Sequence, residues 1–314
     1  MMQTLRNLSA DVVAADAAGR SRVSVEQLLA LRLLAPRLRS TRRARAASSG
    51  GHLSHLHARG VDYAESRVYQ PGDDIRAMDW RVTARSGRAH TKLFREERER
   101  SLFVLIDCNR SMRFGTRVRF KSVQAARAAA LAGWMAVRAG DRVGALAFGR
   151  ECASLAARGG TRAALSLIGA LQRWDAAADV TGESLASALQ RCQRLVPPGA
   201  RVLILSDGFS CNDEARPLLL HVRQRAEVMA LLVADPLEIA PPPAGIYGVE
   251  HEGRRHTLPL LSDRERKDFA AQLGHGRECL TELCRRAGVP LREVDTRDET
   301  LSALRDLLDG GGRR

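Results

Sequence analysis

From residue 101 onward, short apolar runs alternate with amphipathic stretches, and this alternation limits the possible folds more than any other feature of the chain. The run 102–106 contains only large aliphatic and aromatic residues, as in a strand that is buried on both faces of a parallel sheet. The runs 142–148, 202–206, 228–233 and 291–294 are predicted to be further strands. Apolar residues at helical spacing predict helices between them, near 118–138, 161–172, 183–195, 262–287 and 298–308.

Strands and helices that alternate in this way form right-handed crossovers, which place helices on both faces of the sheet. We therefore predict an α/β domain over 99–310 with a doubly wound, mostly parallel sheet. The segment 50–98 alternates short β-like runs with turns and is predicted to be a β-rich segment. The segment 1–49 is predicted to contain a helix that begins with a Ser24–Gln27 capping box, followed by an Arg-rich linker.

The chain carries 50 basic and 36 acidic residues, a formal net charge of +14, and only three of the basic residues are lysines. The densest basic segment contains five arginines: Arg37, Arg39, Arg42, Arg43 and Arg45. An acidic partner such as nucleic acid could bind such a segment. It has no interleaved aromatic residues for stacking on bases, however, and Ala-Ala-Ser-Ser-Gly-Gly follows it, so we favour a solvated linker.

The cysteines and the first thirty residues predict the compartment. No two cysteines form a C-x-x-C pair, and their spacing does not suggest a disulfide framework, which indicates a reducing environment. The first thirty residues carry charges at close intervals, unlike the apolar core of a signal peptide. No later run approaches the roughly 18 apolar residues of a membrane span. We therefore expect a cytoplasmic protein.

Two of the predicted strands are followed directly by an aspartate, Asp107 and Asp207. In a doubly wound sheet, ligands bind at the carboxyl ends of the strands. A lone buried carboxylate there is costly unless a cation or hydrogen-bond donors compensate it. Oxygen atoms of Asp107, Asn109 and Ser111 can converge on one point, and together with Asp207 they suit Mg²⁺. The alternative is that these residues cap strands and helix N-termini by hydrogen bonds without a metal.

The motifs of common catalytic sites are missing from the sequence. No lysine follows a glycine, so the usual ATP-binding loop is excluded, and neither G-x-S-x-G nor H-E-x-x-H occurs. We therefore expect a protein without enzymatic activity. Asp107, Asp207 and Mg²⁺ could also support phosphoester hydrolysis, which we keep as an alternative together with nucleic-acid binding through the Arg-rich linker.

Two parts of the chain resemble known families. The loop 107–111 resembles the D-x-S-x-S metal-ion-dependent adhesion site of von Willebrand factor A (vWA) domains, and 141–148 and 205–208 resemble their strands. Upstream, the motifs Arg67-Val-Tyr69-Gln-Pro71-Gly72-Asp73-Asp74, Asp79-Trp80 and Ala84-Arg85 are similar to the signature of the DUF58 family, a bacterial vWA-like family. The resemblance covers about 50–310.

The resemblance implies a vWA-type fold and a role in protein interaction. Members of the family are typically encoded beside MoxR-type AAA+ ATPases and are thought to act with them in chaperone-like maturation or assembly of other proteins. Many members carry two N-terminal membrane spans, and this chain resembles the short, soluble branch instead. The implied partners are a MoxR-type ATPase and unknown client proteins.

The resemblance also implies a divalent metal, Mg²⁺ or Mn²⁺, bound by a set of five residues: Asp107, Asn109, Ser111, Thr181 and Asp207. Asn109 departs from the pattern, which has serine here, although an amide oxygen can also bind a cation. Two residues compete for the threonine position of the pattern. Thr181 lies close to it, whereas alignment on the following helix places Glu183 there. We favour Thr181.

The signature upstream of the sheet allows two interpretations, which concern Gly72, Asp73, Arg76, Asp79, Trp80 and Arg85. In one, its aspartates and arginines form a docking surface or a clamp beside the metal site. In the other, they form a salt-bridged turn, and Trp80 packs into the core between the β segment and the sheet. We favour the structural interpretation, because aspartate–arginine pairs commonly fix tight turns.

Overall fold

The computed structural model describes residues 19–36, 61–96, 100–149, 152–176, 182–251 and 254–310 of the chain. Thr181 and the five arginines of the predicted linker lie outside these described residues. The chain divides into two compact units, of which one comprises residues 43–99 and the other comprises residues 1–42 together with 100–314.

The elements before the main sheet are α1, Val25–Leu34; β1, Val61–Val68; a 3₁₀ helix, Ile75–Ala77; α2, Trp80–Ser86; and β2, His90–Glu96. They are followed by β3, Ser101–Asp107; a 3₁₀ helix, Arg110–Met112; α3, Lys121–Ala139; β4, Arg142–Phe148; β5, Ser154–Arg158; α4, Thr161–Ala176; α5, Leu185–Leu195; and β6, Arg201–Ser206. The remainder comprises α6, Ala215–Arg225; β7, Glu227–Ala234; α7, Pro236–Ile239; β8, Gly245–His251; β9, Arg254–Leu260; α8, Asp263–Ala287; β10, Leu291–Asp295; and α9, Leu301–Gly310. Within the described ranges, no helix combines the length and the apolar character that a membrane crossing requires.

Six strands form the main sheet, in the order β10-β7-β6-β3-β4-β5. Neighbouring strands are parallel except for β5, which runs antiparallel to β4. The chain moves from β3 towards one edge, returns to the other side of β3 at β6, and continues to the opposite edge. This is the strand order of doubly wound nucleotide-binding sheets, and the predicted α/β class is confirmed. The reversal places the carboxyl ends of β3 and β6 side by side.

Buried side chains lie on both faces of the sheet, as the continuous apolar runs predict. In β3, Leu102, Val104 and Ile106 belong to one core, which also contains residues of α1, α3, α4 and α9. Phe103 and Leu105 belong to the core of the other face, with residues of α5, α6 and α8. Because successive side chains of a strand point to opposite faces, a strand between two helical layers must be apolar at every position.

Strand β5 is an element that sequence analysis did not predict. Its side chains alternate between exposed and half-buried, because it lies at the edge of the sheet. Helices α6 and α7 were not predicted either. The helices and strands that were predicted for this unit are present, with ends displaced by a few residues. Helix α3, for example, begins at Lys121 rather than near residue 118.

Helix α1 belongs to the α/β unit and packs against α3. Ser24 caps its first turn, because the Ser24 side chain accepts a hydrogen bond from the Gln27 backbone N–H at 3.4 Å. Leu28 and Leu31 are buried, and the Trp134 indole N–H of α3 donates to the Leu28 carbonyl at 3.3 Å.

The smaller unit is an antiparallel pair of strands with a short helix between them. Strand β1 pairs with β2 along its length, and the register shifts between Tyr63 and Glu65. The 3₁₀ helix and α2 occupy the connection. Asp79 caps the start of α2, and Gly87 ends it in the left-handed conformation.

Candidate functional site

Asp107 ends β3 at the point where the strand order reverses, and its carboxylate is buried. One carboxylate oxygen accepts hydrogen bonds from the Ser206 and Ser210 hydroxyls, at 2.6 and 2.8 Å. The other accepts from the backbone N–H and the side-chain amide of Asn109, both at 2.9 Å. Burial, and then the negative charge of Asp207, raise the pKa of Asp107 to about 6.

Asn109 bridges two loops at the end of the sheet. Its side-chain nitrogen donates to Asp107 and also to the Glu183 carbonyl oxygen, at 2.9 Å. The loop before α5 comes so close that a Cβ atom on Gly182 would lie 2.6 Å from the Asn109 Oδ1 atom. In this orientation Asn109 supplies a donor to Asp107, which is the arrangement expected of a capping site without a metal.

Ser111 lies in the 3₁₀ helix that follows the same loop. Its hydroxyl oxygen is buried and has no hydrogen-bond partner among the described residues. Buried hydroxyls are almost always paired, because desolvation without a partner costs about 1–3 kcal/mol. The Ser111 hydroxyl is therefore available as a ligand.

Asp207 is balanced by a positive charge that the sequence analysis did not expect. The Lys121 ammonium donates to Asp207 Oδ2 at 2.7 Å and also forms an ion pair with Glu238. Asp207 Oδ1 accepts from the Phe209 backbone N–H at 3.1 Å. Asp207 thus has a fixed cation next to it, whereas no described basic side chain pairs with Asp107.

Lys121 is a polar residue of helix α3, but its side chain is buried and only 1% exposed. The Phe114 and Phe209 rings lie within 5.7 and 5.3 Å of its ammonium. Burial alone would lower the pKa of Lys121, but the negative charges of Asp207 and Glu238 outweigh this and raise it. Burial also raises the pKa of Glu238, which the attraction of Lys121 opposes. The ammonium therefore stays charged at neutral pH.

Two further strands of the sheet end in aspartate, which the sequence analysis missed. Asp235 follows β7, where it accepts from the Thr116 backbone N–H and hydroxyl at 2.8 and 2.6 Å and forms a capping box with Glu238. Asp295 ends β10 and pairs with Arg297. The signal was present in the sequence, because Asp235 directly follows an apolar run, as Asp107 does.

The turn after Asp207 is held in place by close packing against α8. Gly208 has a φ of 85°, and a Cβ atom there would lie 2.0 Å from the Gly276 carbonyl oxygen. On the helix side, a Cβ atom on Gly276 would lie 2.7 Å from the Phe209 nitrogen and 2.8 Å from the Asp207 carbonyl oxygen. Only glycine fits at both positions, so the helix backbone fixes the loop that carries Asp207.

Glu183 was the alternative to Thr181 at the threonine position of the metal-site pattern, but its side chain makes contacts other than those of a metal ligand. Its carboxylate forms a two-point contact with the Arg191 guanidinium, at 2.6 and 3.0 Å, and accepts from the Cys152 thiol. Its carbonyl oxygen accepts from Asn109. Glu183 therefore positions the loop that faces Asn109.

The residues of the predicted metal set differ in how well they fit a divalent cation. Asp107 has no cationic partner among the described side chains, and the Ser111 hydroxyl is unpaired, so this half of the set fits. Asp207 already forms an ion pair with Lys121, so its carboxylate is less able than that of Asp107 to bind a divalent cation. In the part of the chain that the structure describes, no group of three or more His, Cys, Asp and Glu side chains has the arrangement of a metal site. A cation here would depend on hydroxyl and amide oxygens in addition to a single carboxylate.

A small pocket of about 20 Å³ lies beside this loop. Its polar lining includes Asp107, Asn109, Ser122 and Arg113, and its apolar lining includes Trp174. The Ser122 hydroxyl is buried and lacks a hydrogen-bond partner among the described residues, as the Ser111 hydroxyl does. The edge of the sheet therefore presents a concave surface next to Asp107.

The aspartates of the upstream signature fix their own turn. Asp73 pairs with Arg67 at 2.6 Å and accepts from the Gln70 backbone N–H at 2.9 Å, next to Gly72 with its φ of 107°. These hydrogen bonds lower the pKa of Asp73.

Asp79 is buried at the start of α2. It accepts from the Ser66 hydroxyl at 2.6 Å and from the Val82 backbone N–H at 3.1 Å, and these bonds lower its pKa. Trp80, the next residue, was predicted to pack into the core, but 65% of its surface is exposed, so this prediction is wrong. Trp80 is the first residue of this short helix, and the turn buries the capping residue Asp79 instead. Arg76 and Arg85 are exposed as well.

The fold and the site define a class: a doubly wound α/β protein with an acidic cluster at the switch point of its sheet. A family model described as "Protein of unknown function DUF58" matches residues 65–278. An uncharacterized protein of Mycobacterium tuberculosis is 31% identical over 258 residues, 81% of each chain. The chain belongs to the DUF58 family. The uncharacterized protein YeaD of Bacillus subtilis is 42% identical over 59 residues, which are 19% of this chain and 15% of YeaD.

Solved structures with a similar arrangement include the conserved hypothetical protein BatB from Bacteroides thetaiotaomicron. It is 15% identical, with a TM-score of 0.42, and the match covers 68% of this chain and all of BatB. A von Willebrand factor type A protein from Catenulispora acidiphila is 13% identical, with a TM-score of 0.39, over 71% of this chain and 44% of that chain. At these scores the fold assignment rests on the strand order of the sheet itself.

Proposed function

We propose that this protein is a non-enzymatic interaction module that binds a protein partner at the carboxyl end of its sheet in a cation-dependent manner. The observation that carries the proposal is the contrast between two buried aspartates. Asp207 has the Lys121 ammonium beside it, whereas Asp107 has four hydrogen bonds and no described cationic partner. A buried carboxylate without a countercharge favours the uptake of a cation.

The oxygen donors of the loop suit Mg²⁺ or Mn²⁺, which prefer carboxylate, carbonyl and hydroxyl ligands. We assign the cation to Asp107, Asn109 and Ser111, with Thr181 as a further ligand. Asn109 would then present its amide oxygen in place of the nitrogen that faces Asp107 at present. A cation with incomplete protein ligation would supply an open position for a carboxylate of the partner.

The partner suggested by family resemblance is a MoxR-type AAA+ ATPase, with which this chain would act in chaperone-like maturation or assembly of other proteins. The chain has no Gly-Lys pair of an ATP-binding loop, so ATP hydrolysis would come from the partner. All six cysteines are free thiols, which supports a reducing compartment such as the cytoplasm.

The alternative of a Mg²⁺-dependent phosphoester hydrolase has less support. A mechanism with two strand-end carboxylates needs Asp207 as well as Asp107 at the metal, and the Asp207 carboxylate is bound to Lys121. The interaction module requires only that Asp107 and its loop bind the cation.

Direct binding of Mn²⁺ to the purified chain tests the proposal. Loss of the free-ion signal in electron paramagnetic resonance, with competition by Mg²⁺, would give the affinity and the number of sites. We expect one site in the unaltered chain and a loss of binding in Ser111→Ala and Asp107→Asn. Ser166→Ala, in helix α4, is the matched control and should bind normally. Equal Mn²⁺ binding by the unaltered chain and both site variants would refute the assignment.

A further inference from the structure

Helix α2 presents a face of exposed side chains that the strand-end site does not include. Trp80, Arg81, Ala84 and Arg85 are all exposed, whereas Val82 and Thr83 are half-buried. Residues four apart lie above one another on a helix, so Trp80–Ala84 and Arg81–Arg85 form two adjacent rows. The exposed side of the helix thus combines an apolar row, Trp80 and Ala84, with a basic row.

The apolar residues of this region are exposed to an unusual degree. Trp80 is 65% exposed and Ile75, in the preceding 3₁₀ helix, is 63% exposed. Trp80 is large enough to contribute a substantial core contact, and the same turn buries Asp79 instead. A turn that buries an aspartate and exposes a tryptophan and an isoleucine indicates an interaction surface.

The charge of the face is positive. Arg76, Arg81, Arg85 and Arg88 are exposed, and none of them forms an ion pair with another described residue. The aspartates of the same segment are used locally, because Asp73 is paired with Arg67 and the other two cap the helices that follow them. Each of the three aspartates therefore has a partner within this segment, whereas the four guanidinium groups form no ion pair with a described residue.

We propose that this surface, the α2 face, formed by Ile75, Arg76, Trp80, Arg81, Ala84 and Arg85, docks an acidic protein segment that also carries apolar side chains. Tryptophan and arginine contribute most of the binding energy in many protein interfaces, and guanidinium groups pair with carboxylates in a two-point geometry. A second copy of this chain is a poor match, because its net charge is +14. The exposed isoleucine favours a protein over nucleic acid, whose binding sites use aromatic and basic residues. The proposal goes beyond the strand-end site and does not depend on a cation there.

Photo-crosslinking from the α2 face tests which molecule docks there. A photoreactive benzoyl-phenylalanine replaces Ala84 in the full-length chain, and the same residue at Ala156, exposed on strand β5, is the matched control. We expect a protein crosslink from position 84 that is absent from position 156, with the crosslinked peptide rich in glutamate or aspartate. Crosslinking to nucleic acid, to a second copy of the chain, or equally from both positions would overturn the proposal, and so would no crosslink from position 84.

The affinity of the α2 face can be measured with a synthetic peptide in which pairs of glutamates alternate with pairs of leucines. Fluorescence anisotropy should show at least about tenfold weaker binding for Trp80→Ala and for the double variant Arg81→Glu/Arg85→Glu, as for interface hot spots. The control double variant Arg162→Glu/Arg173→Glu alters two exposed arginines of helix α4 and should bind normally. The same peptide with glutamine in place of glutamate should not bind. Unchanged affinity in the α2 variants, or an equal loss in the control, would contradict the docking surface.

The thermal unfolding of each variant separates docking from folding. An exposed Trp80 predicts an unchanged unfolding midpoint in Trp80→Ala. A lowered midpoint would mean that the side chain is covered within the molecule, and this would also overturn the proposal. Mn²⁺ binding should be unaltered in every α2 variant, so a failure of the α2 face and a failure of the strand-end site give different results.

Discussion

The Lys121 ammonium lies 2.7 Å from the Asp207 carboxylate in the interior of the protein, although both residues are almost completely buried. The ion pair joins the start of helix α3 to the end of strand β6, and Glu238 on α7 joins it from a third direction. It holds together the edge of the sheet at which the candidate site lies. The carboxylate next to it, Asp107, is held by neutral donors only.

Replacement of Lys121 by methionine should destabilise the protein by about 3–5 kcal/mol, because two buried carboxylates would lose their cation. Urea denaturation measures this free energy of unfolding. Lys267→Met is the matched control, since Lys267 is exposed, and should change the stability by less than about 0.5 kcal/mol. The double variant Lys121→Met/Asp207→Asn should recover part of the loss. Equal stability of the two lysine variants would show that the ion pair is not a structural element of the site.

Replacement of Gly276 by alanine should destabilise the protein by about 1–3 kcal/mol, because the added methyl group meets backbone atoms of the Asp207 loop below 3 Å. Gly169→Ala, within helix α4, provides the comparison. Its Cβ atom would meet only the Arg173 side chain, at 3.5 Å, so that variant should gain up to about 1 kcal/mol from the higher helix propensity of alanine. Thermal unfolding of both variants decides the point. A neutral Gly276→Ala would mean that α8 does not pack closely on the loop in solution.

The acid dependence of stability should report on Asp79. Hydrogen bonds from Ser66 and Val82 hold the pKa of Asp79 below its usual range in the folded chain, so its contribution is present at neutral pH and is lost as the pH falls through that lowered pKa. Asp79→Asn should therefore be less stable than the unaltered chain at pH 7, and the difference should shrink at a pH below about 4. Asp268→Asn, on the exposed side of α8, should show no such difference. A difference for Asp79→Asn that does not change with pH would contradict this role.

Divalent cations should raise the unfolding temperature of the unaltered chain. A ligand that binds only the folded state at a hundred times its Kd adds about 2.7 kcal/mol of stability. Differential scanning fluorimetry with Mg²⁺, Mn²⁺ and EDTA measures this shift. We expect the shift in Ser166→Ala and its loss in Ser111→Ala. A shift of the same size in both would place the bound cation elsewhere in the protein.

The sheet could be predicted from the sequence because its central strands are buried on both faces and must be apolar at every position. Edge strand β5 lacks this constraint, because half of its side chains face solvent, and it was missed. The strand ends at Asp107 and Asp207 were found by the same logic that should have led to Asp235. Family resemblance, rather than periodicity, pointed to the segment around Trp80.

The balance of charge within the site could not be predicted. Lys121 lies 86 positions from Asp207 in the chain, and nothing in its local sequence distinguishes a buried lysine from a solvated one. Lysine is rarely buried unless it is paired, so a lysine at the start of a helix is normally expected to be exposed to solvent. One feature of the sequence hints that Lys121 is unusual: it is one of only three lysines among 50 basic residues. Likewise, the sequence predicts a turn near Asp79. The hydrogen bond from Ser66 to Asp79 joins strand β1 to the start of helix α2, so it could be seen only in the folded hairpin.

Cation-dependent binding of a partner can be tested with two purified proteins, this chain and a MoxR-type AAA+ ATPase from the same organism, which is the proposed partner. Their affinity is measured by biolayer interferometry in Mg²⁺ and in EDTA, for the unaltered chain, Ser111→Ala and the control Ser166→Ala. We predict binding in Mg²⁺ that is lost in EDTA and in Ser111→Ala but kept in Ser166→Ala, so that the cation of this chain is separated from that of the nucleotide. Binding of Ser111→Ala as tight as that of the unaltered chain, or no binding in Mg²⁺, would contradict a cation-dependent interaction module at Asp107.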